Sequence, residues 1–299
     1  MPAPTPAQDV SARAEFEECI SAGGPTGELI LSLNWSATPL GAIGSWPLGL
    51  KMTIASMLRS HQPMLLWWGP ELIQLYNDAY RATFFGEKHP AAMGQRGEDC
   101  WHEFWPRLLP RIQEVMSRGQ ASWDEDRFMP ICRSGRIEEA YWTCGYSPVY
   151  DEQFRVAGTL LVSAETTGRV LAARRHGVIR RLSSALATCE DVRSVADQTL
   201  RLISECSHDI PFAFECRSTS EKGSFAVVRS VPLDCEGAAW LESRVLAVLA
   251  EQGAHPVSGA TVLRLPEETS VAAGPWPEPT TEVAVIRCKR PPLGAWIFG

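Results

Sequence analysis

Five apolar residues, Met64-Leu65-Leu66-Trp67-Trp68, stop at Gly69-Pro70, and this stretch restricts the fold more than any other in the chain. The run is far shorter than the ~20 apolar residues a membrane helix takes, and its aromatic and aliphatic content suits a buried strand. Pro70 fixes φ and Gly69 permits positive φ, so a tight turn returns the chain along Leu72-Ile73-Gln74-Leu75-Tyr76, a half-buried antiparallel partner. Asn77 or Asp78 then offers a side-chain oxygen to cap a helix that starts at Asp78-Ala79-Tyr80.

The neighbouring segments have equally local signatures. Leu50, Ile54, Met57 and Leu58 follow helical spacing behind Pro47, which predicts a helix over roughly 47–60. Ala79 to Phe85 reads as a short helix and Gly86 to Gly97 as irregular chain. Trp101, Phe104, Trp105, Leu108, Leu109, Ile112, Val115 and Met116 form an amphipathic stripe that ends at Gly119, a suitable C-cap. Three strands are expected after it, over 121–129, 138–147 and 156–164, with Gly135 in one turn and Asp151-Glu152 in the next. In the second strand Ala140, Trp142, Cys144 and Tyr146 share one face. Residues 1–27, rich in Ala, Pro and Gly, read as a flexible lead with at most one short helix near 12–20.

The strand, turn, strand, Asn-Asp-Ala-Tyr order resembles the opening of a PAS domain. Leu33-Asn34-Trp35-Ser36-Ala37-Thr38-Pro39-Leu40-Gly41, Ser45-Trp46-Pro47, Gly86-Glu87-Lys88-His89-Pro90 and Glu138-Glu139-Ala140-Tyr141 extend the likeness. Together they resemble the N-terminal PAS-type sensor of bacterial PAS–GAF hybrid histidine kinases, over roughly residues 28–175. The resemblance implies an α/β (α+β) fold in which an antiparallel sheet is covered by helices, as a sensor domain over 28–165 with an N-terminal cap.

Thr166 to Cys189 turns basic and helical, giving a connecting helix over 166–190. Leu171, Arg175, Val178, Leu182, Ala185 and Cys189 alternate steps of four and three, the spacing of a coiled-coil seam. Arg175 and Gly177 weaken that seam, so the expected homodimer through 169–189 is weak or switchable. From about 191 a second domain begins, with a helix over 192–203, strands over 212–216 and 224–231 around Glu221-Lys222-Gly223, a helix over 237–252, and strands over 261–265, 283–288 and 295–298. With Gly274-Pro275-Trp276-Pro277-Glu278-Pro279 ahead of the Val283 strand, this order resembles a GAF domain, one that lacks its closing C-terminal helix at Gly299.

Composition sets the broad class. Hydrophobic residues make up 45% and charged residues 21%, as in a globular protein, and the net charge of -7 argues against a nucleic-acid partner. The chain shows neither a secretory signal nor a membrane-length apolar run, so a cytoplasmic protein is expected. Its nine cysteines are scattered and never spaced C-x-x-C, which argues against a zinc site or a disulfide framework.

Chemistry-bearing groups are sparse. Asp124-Glu125-Asp126 and Glu138-Glu139 put neighbouring carboxylates on opposite strand faces, which suits solvated edges better than acid–base work. Cys100-Trp101-His102 holds a thiol and an imidazole with no partner at metal-site spacing. His176 lies outside any H-E-[LI]-R-x-P phosphoacceptor run, and Gly-rich ATP-binding boxes are absent, so no catalytic residue and no metal ligand is expected. Arg174, Arg175, Arg180 and Arg181 suit an exposed helix face better than a phosphate site. The aromatic set Trp67, Trp68, Tyr76, Tyr80, Trp105, Trp142 and Tyr146 either lines a small-molecule cavity or fills the core. No flavin-adduct cysteine, haem ligand or bilin attachment context identifies a cofactor. The resemblance therefore implies a non-catalytic sensory module that binds a small ligand or partner and signals through its helix to a histidine kinase core in cis or in trans. A stand-alone interaction adaptor is the alternative.

Overall fold

A computed structural model describes residues 6–133, 136–218, 225–231, 260–264, 282–287 and 294–298. The chain divides into two units, Met1–Val170 and Leu171–Gly299. The expected turn at Gly135, the Glu221-Lys222-Gly223 turn, the helix over 237–252 and the Gly274–Pro279 stretch lie outside the described residues.

The first unit is built on β1 (Met64–Trp68), β2 (Ile73–Tyr76), β3 (Ser122–Phe128), a separate small hairpin of β4 (Ile131–Arg133) and β5 (Arg136–Glu138), then β6 (Tyr141–Tyr150) and β7 (Val156–Glu165). The main sheet has five strands in the order β2-β1-β7-β6-β3, every pair antiparallel. The α/β class expected from the sequence is what the structure shows. The β1–β2 turn forms as its residues require, with Gly69 at φ 75° and Leu72, without a glycine's freedom, at φ 50°. The 138–147 strand begins and ends three residues later than expected, because Arg136–Glu138 pair with Ile131–Arg133 instead of joining the sheet.

Helices α1 (Pro6–Ser21), α2 (Pro25–Ser32) and α3 (Leu48–Leu58) precede the sheet, and α4 (Asp78–Tyr80), α5 (Gly97–Cys100) and α6 (Trp105–Arg118) lie between β2 and β3. Contacts place α3 against β2 and β6, and α6 against β7, β6 and β3. Helix α6 ends in Gly119 at φ 64°, the left-handed cap its position suggested. Asn77 provides the cap at the start of α4, its Oδ1 accepting from the Tyr80 N–H at 3.0 Å.

The reading of residues 1–27 as a flexible lead is corrected. Residues 6–21 form α1, and Ile20 is fully buried in the same core as Ile30, Leu50, Ile54, Leu65 and Trp67. Its backbone carbonyl is so close to Gly27 that an added Cβ there would sit 2.0 Å from the oxygen. Thr26 in α2 bonds through both its N–H and its hydroxyl to the Asp78 carboxylate, tying this cap to the start of α4. Composition concealed this because Ile20, the partly buried Phe16 and the tight approach to Gly27, not a long apolar stripe, make the contact.

In the second unit the boundary falls inside α7 (Thr167–Leu186), which is followed by α8 (Val192–Ser204). Asp191 and Ser194 form a reciprocal capping box at the start of α8. Strands β8 (Ala213–Ser218), β9 (Phe225–Val231), β10 (Ala260–Arg264), β11 (Glu282–Arg287) and β12 (Gly294–Phe298) make a second antiparallel sheet, ordered β10-β11-β12-β8-β9. Leu200, Ile203 and Ala213 pack together, and Phe212, Phe214, Cys216, Val283 and Val285 are buried. Arg174 holds Asp209 through Nε at 2.7 Å and Nη2 at 2.9 Å, a fork that fixes α7 against the residue 205–209 turn.

Candidate functional site

Strand registry assigns the aromatic residues to faces. Gln74, Trp67 and Thr159 are directly opposite one another across β2, β1 and β7; Tyr76, Leu65, Leu161 and Tyr146 form the next row, and Ser163 pairs with Cys144 in the next. Side chains on a strand alternate, so these residues, with Trp142, share the face toward α6. Trp105 of α6 meets Trp67 edge-on at 6.4 Å between ring centroids. Tyr80 stacks on Phe84 at 4.5 Å, and Phe84 in turn lies 4.3 Å from Trp142. Phe84 sits in the π-helical turn Arg81–Phe85, a rare geometry that pushes one extra residue into the chain just where the ring must reach the sheet.

Six of the seven expected lining residues therefore converge between the sheet and its helices: Trp67, Tyr76, Tyr80, Trp105, Trp142 and Tyr146. The seventh does not. Trp68, one position on from Trp67, projects from the opposite face, where it lies over Gly158; an added Cβ there would come within 2.8 Å of its ring. All seven are buried.

Polar groups are set among these rings, and the sequence reading passed over most of them. Gln74 is fully buried; its Nε2 donates to the Ala92 carbonyl at 2.8 Å and its Oε1 accepts from Trp101 Nε1 at 3.0 Å. Tyr76 and His89 share a hydrogen bond of 3.0 Å between the phenol and Nδ1. Burial pushes the Tyr76, Tyr80 and Tyr146 phenols and the Cys100 and Cys144 thiols above their ordinary values, so these groups stay protonated near neutral pH. Burial, then Arg81, lowers the His89 pKa against the opposing pull of Asp78. A neutral imidazole can accept the Tyr76 proton. The signal that would have found Gln74 is its place as the single polar residue in Leu72-Ile73-Gln74-Leu75-Tyr76.

Groups weighed for catalysis are separated or paired. Cys100 is buried while the His102 side chain is 72% exposed, so the thiol and imidazole do not form a couple. Asp124 accepts from Arg111 and from Arg127, each at 2.9 Å, and Asp126 pairs with Arg169. Arg175 also reaches Asp209, and Arg181 reaches Glu205 at 3.1 Å. Among the described residues no group of three or more His, Cys, Asp or Glu side chains is placed to hold a metal ion, and no helix is long and apolar enough to cross a membrane.

Residues 68–171 match the model of the PAS fold family. Among solved structures the chain is similar to a sensory box sensor histidine kinase from Vibrio cholerae, at 10% identity over 39% of this chain and 86% of that one, TM-score 0.27. It is similar to a PAS domain of a protein from Colwellia psychrerythraea, at 15% identity over 40% and 98%, TM-score 0.29, and to the PAS domain of Bordetella pertussis BvgS, at 17% identity over 44% and 96%, TM-score 0.27. No curated protein matches. The first unit carries a PAS-like fold.

Proposed function

We propose that this chain is the sensory input region of a bacterial two-component histidine kinase: a PAS-like domain takes up a small ligand or partner, and a helix passes the resulting change to a kinase core in cis or in trans. The observation that carries this reading is the junction of β7 with α7. Thr166 alone separates strand from helix; its N–H donates to the Tyr141 carbonyl at 2.8 Å, and the Tyr141 N–H donates to Thr167 Oγ1 at 3.0 Å. Thr167 Oγ1 in turn donates to Glu165 Oε1 at 2.8 Å, and Arg169 pairs with Asp126 in the β-bulge of β3. Tyr141 opens the strand that carries Trp142, Cys144 and Tyr146. A shift of those side chains therefore acts directly on the first turn of α7.

The match of residues 68–171 to the PAS fold supports the sensory part of this reading. The finer parts are proposals: a GAF-like domain over 191–299, supported by its antiparallel five-stranded sheet, and a cytoplasmic homodimer through 169–189, supported by Leu171, Val178, Leu182 and Ala185 being only partly buried on α7, which ends at Leu186, short of the seam position Cys189. An added Cβ on Gly177 would meet nothing within 4 Å, so Gly177→Ala can strengthen that helix without a clash.

The test is a fusion of this chain to a histidine kinase core, with autophosphorylation measured for the parent and for Thr167→Ala combined with Arg169→Ala. Cutting the junction is expected to change the rate several-fold while the melting transition of the PAS-like domain persists. An unchanged rate in a folded double variant would favour the interaction adaptor.

A further inference from the structure

Three buried polar atoms in the first unit, Trp67 Nε1, Thr159 Oγ1 and Thr166 Oγ1, lack a hydrogen-bond partner among the described residues, and the first two are neighbours. Trp67 and Thr159 are fully buried, and neither the indole N–H of the first nor the hydroxyl of the second has a hydrogen bond. They are direct cross-strand partners, so both project from the face beneath α6, with Cβ atoms roughly 5 Å apart. Native interiors seldom leave such groups unmet, because each has given up its water for nothing.

Gly97 shows what lies beside the Trp67 indole N–H. An added Cβ there would fall 2.7 Å from Trp67 Nε1 and 2.6 Å from Trp105 Cη2, so the orphaned donor and the tip of the Trp105 ring converge on one glycine. Trp105 also lines an open groove of about 420 Å³, together with Leu72, Arg96, Leu109, Ile112 and Met116. Trp105 is therefore at once a wall of the groove and a neighbour of the Gly97 position that lies against the Trp67 N–H.

We propose that this groove is the mouth of a small-molecule site, that Trp105 swings to admit the ligand, and that the ligand gives a hydrogen-bond acceptor to Trp67 Nε1 and Thr159 Oγ1. This deepens the sensory reading above and rests on it. The walls set the ligand's chemistry. Leucine, isoleucine, methionine and tryptophan side chains favour a planar apolar body, and the groove has room for one or two rings. On the rim Arg96 is paired with Glu71, and Glu98 adds a carboxylate, so nothing there selects an anionic ligand. A neutral ring ketone or aromatic heterocycle with one carbonyl or ring nitrogen fits.

Indole N–H resonances of the full-length protein test the proposal, with coumarin as the carbonyl-bearing probe and naphthalene as its isostere without an acceptor. Coumarin is expected to move the Trp67 indole resonance, assigned in the wild-type protein, to lower field. Trp67→Phe should weaken coumarin about tenfold, the loss of one well-made buried hydrogen bond, and leave naphthalene unchanged. Gly97→Ala, which fills the meeting point, should weaken both. A Trp67 resonance that stays in place up to the solubility limit of coumarin overturns the proposal, as does equal loss of both probes in Trp67→Phe. The wild-type shift needs no variant to fold. Amide exchange in α7 is read in the same samples: a Trp67 shift with unchanged α7 exchange would keep the site and remove the sensory reading.

Discussion

The two faces of the five-stranded sheet in the first unit are made by the same strands and differ in kind. On the face away from α6, Leu66 and Leu75 pair across β1 and β2, and Leu160 and Val162 continue a layer that is mostly apolar, with Thr143 and Asn77 as buried polar groups at its edges. On the face toward α6, alternate positions hold Gln74, Tyr76, Tyr146, Thr159, Cys144 and Ser163 among tryptophans. Hydrocarbon packing is non-directional and tolerant of small shifts, whereas hydrogen bonds inside an apolar layer hold only in one geometry. One face is thus suited to keeping the sheet together and the other to registering what happens against it.

The sharpest test of that division is at the polar residue that closes the hydrocarbon side. Asn77 is fully buried; Oδ1 accepts from the N–H groups of Met64 and Tyr80, while Nδ2 donates to the carbonyls of Met57, Ser60 and Gln62. Asn77→Ala takes the side-chain partner from all five of these backbone groups, of which the Met57 carbonyl keeps the Ser60 N–H, and a loss of roughly 4 kcal/mol in chemical denaturation is expected. Asn77→Asp should be no better, because a carboxylate cannot donate to three carbonyls.

Next in size is Leu75→Ala, which removes fully buried hydrocarbon and should cost about 2–5 kcal/mol. A value under 1 kcal/mol would mean that the two faces share the stabilising work, and the comparison would fail.

The face toward α6 should instead reveal itself through pH. His89, lowered by burial and by Arg81 from its ordinary 6.5, binds fewer protons in the folded protein than in the unfolded chain. Its contribution to stability is therefore complete above about pH 6.5 and declines as pH falls through the lowered folded value. His89→Gln should flatten the dependence of the melting midpoint on pH in that window; an identical slope in wild type and variant would remove His89 from the account.

The smallest effect is expected for Thr159→Val. The hydroxyl has no partner, so exchanging it for a methyl should change stability by less than ~1 kcal/mol and in the favourable direction. Destabilisation by more than that would show the hydroxyl to be satisfied in solution.

Much of this was legible where the chemistry is local. The Gly69-Pro70 turn, the Asn77 cap, the Gly119 terminus and the alternation of Trp142, Cys144 and Tyr146 each follow from a few consecutive residues, and the structure has all of them, with Ala140 just ahead of the strand. The face of Trp68 was legible too, since alternation separates it from Trp67, but grouping residues by aromatic character overrode position. What the sequence hid depends on distant partners. Ile20 is buried because Gly27 allows a close approach, Asp78 is held by Thr26, and Arg136–Glu138 find a partner in Ile131–Arg133. The orphaned pair of Trp67 and Thr159 emerges only when two strands about 90 residues apart are set side by side.

That same pairing has a consequence for synthesis. Trp68 lies opposite Gly158 and Met64 opposite Val162, so β1, an inner strand of the sheet, waits for chain made 90 to 98 residues later. At roughly 5–20 residues per second the wait is about 5–20 s, during which Met64–Trp68 is paired on one edge only, by β2. An apolar strand with one open edge is a template for pairing with another chain. The ribosome-bound intermediate, more than the finished protein, is therefore where this fold is exposed to aggregation, and holding factors that bind short aromatic-aliphatic segments would act in that interval, before Val156–Glu165 closes the edge.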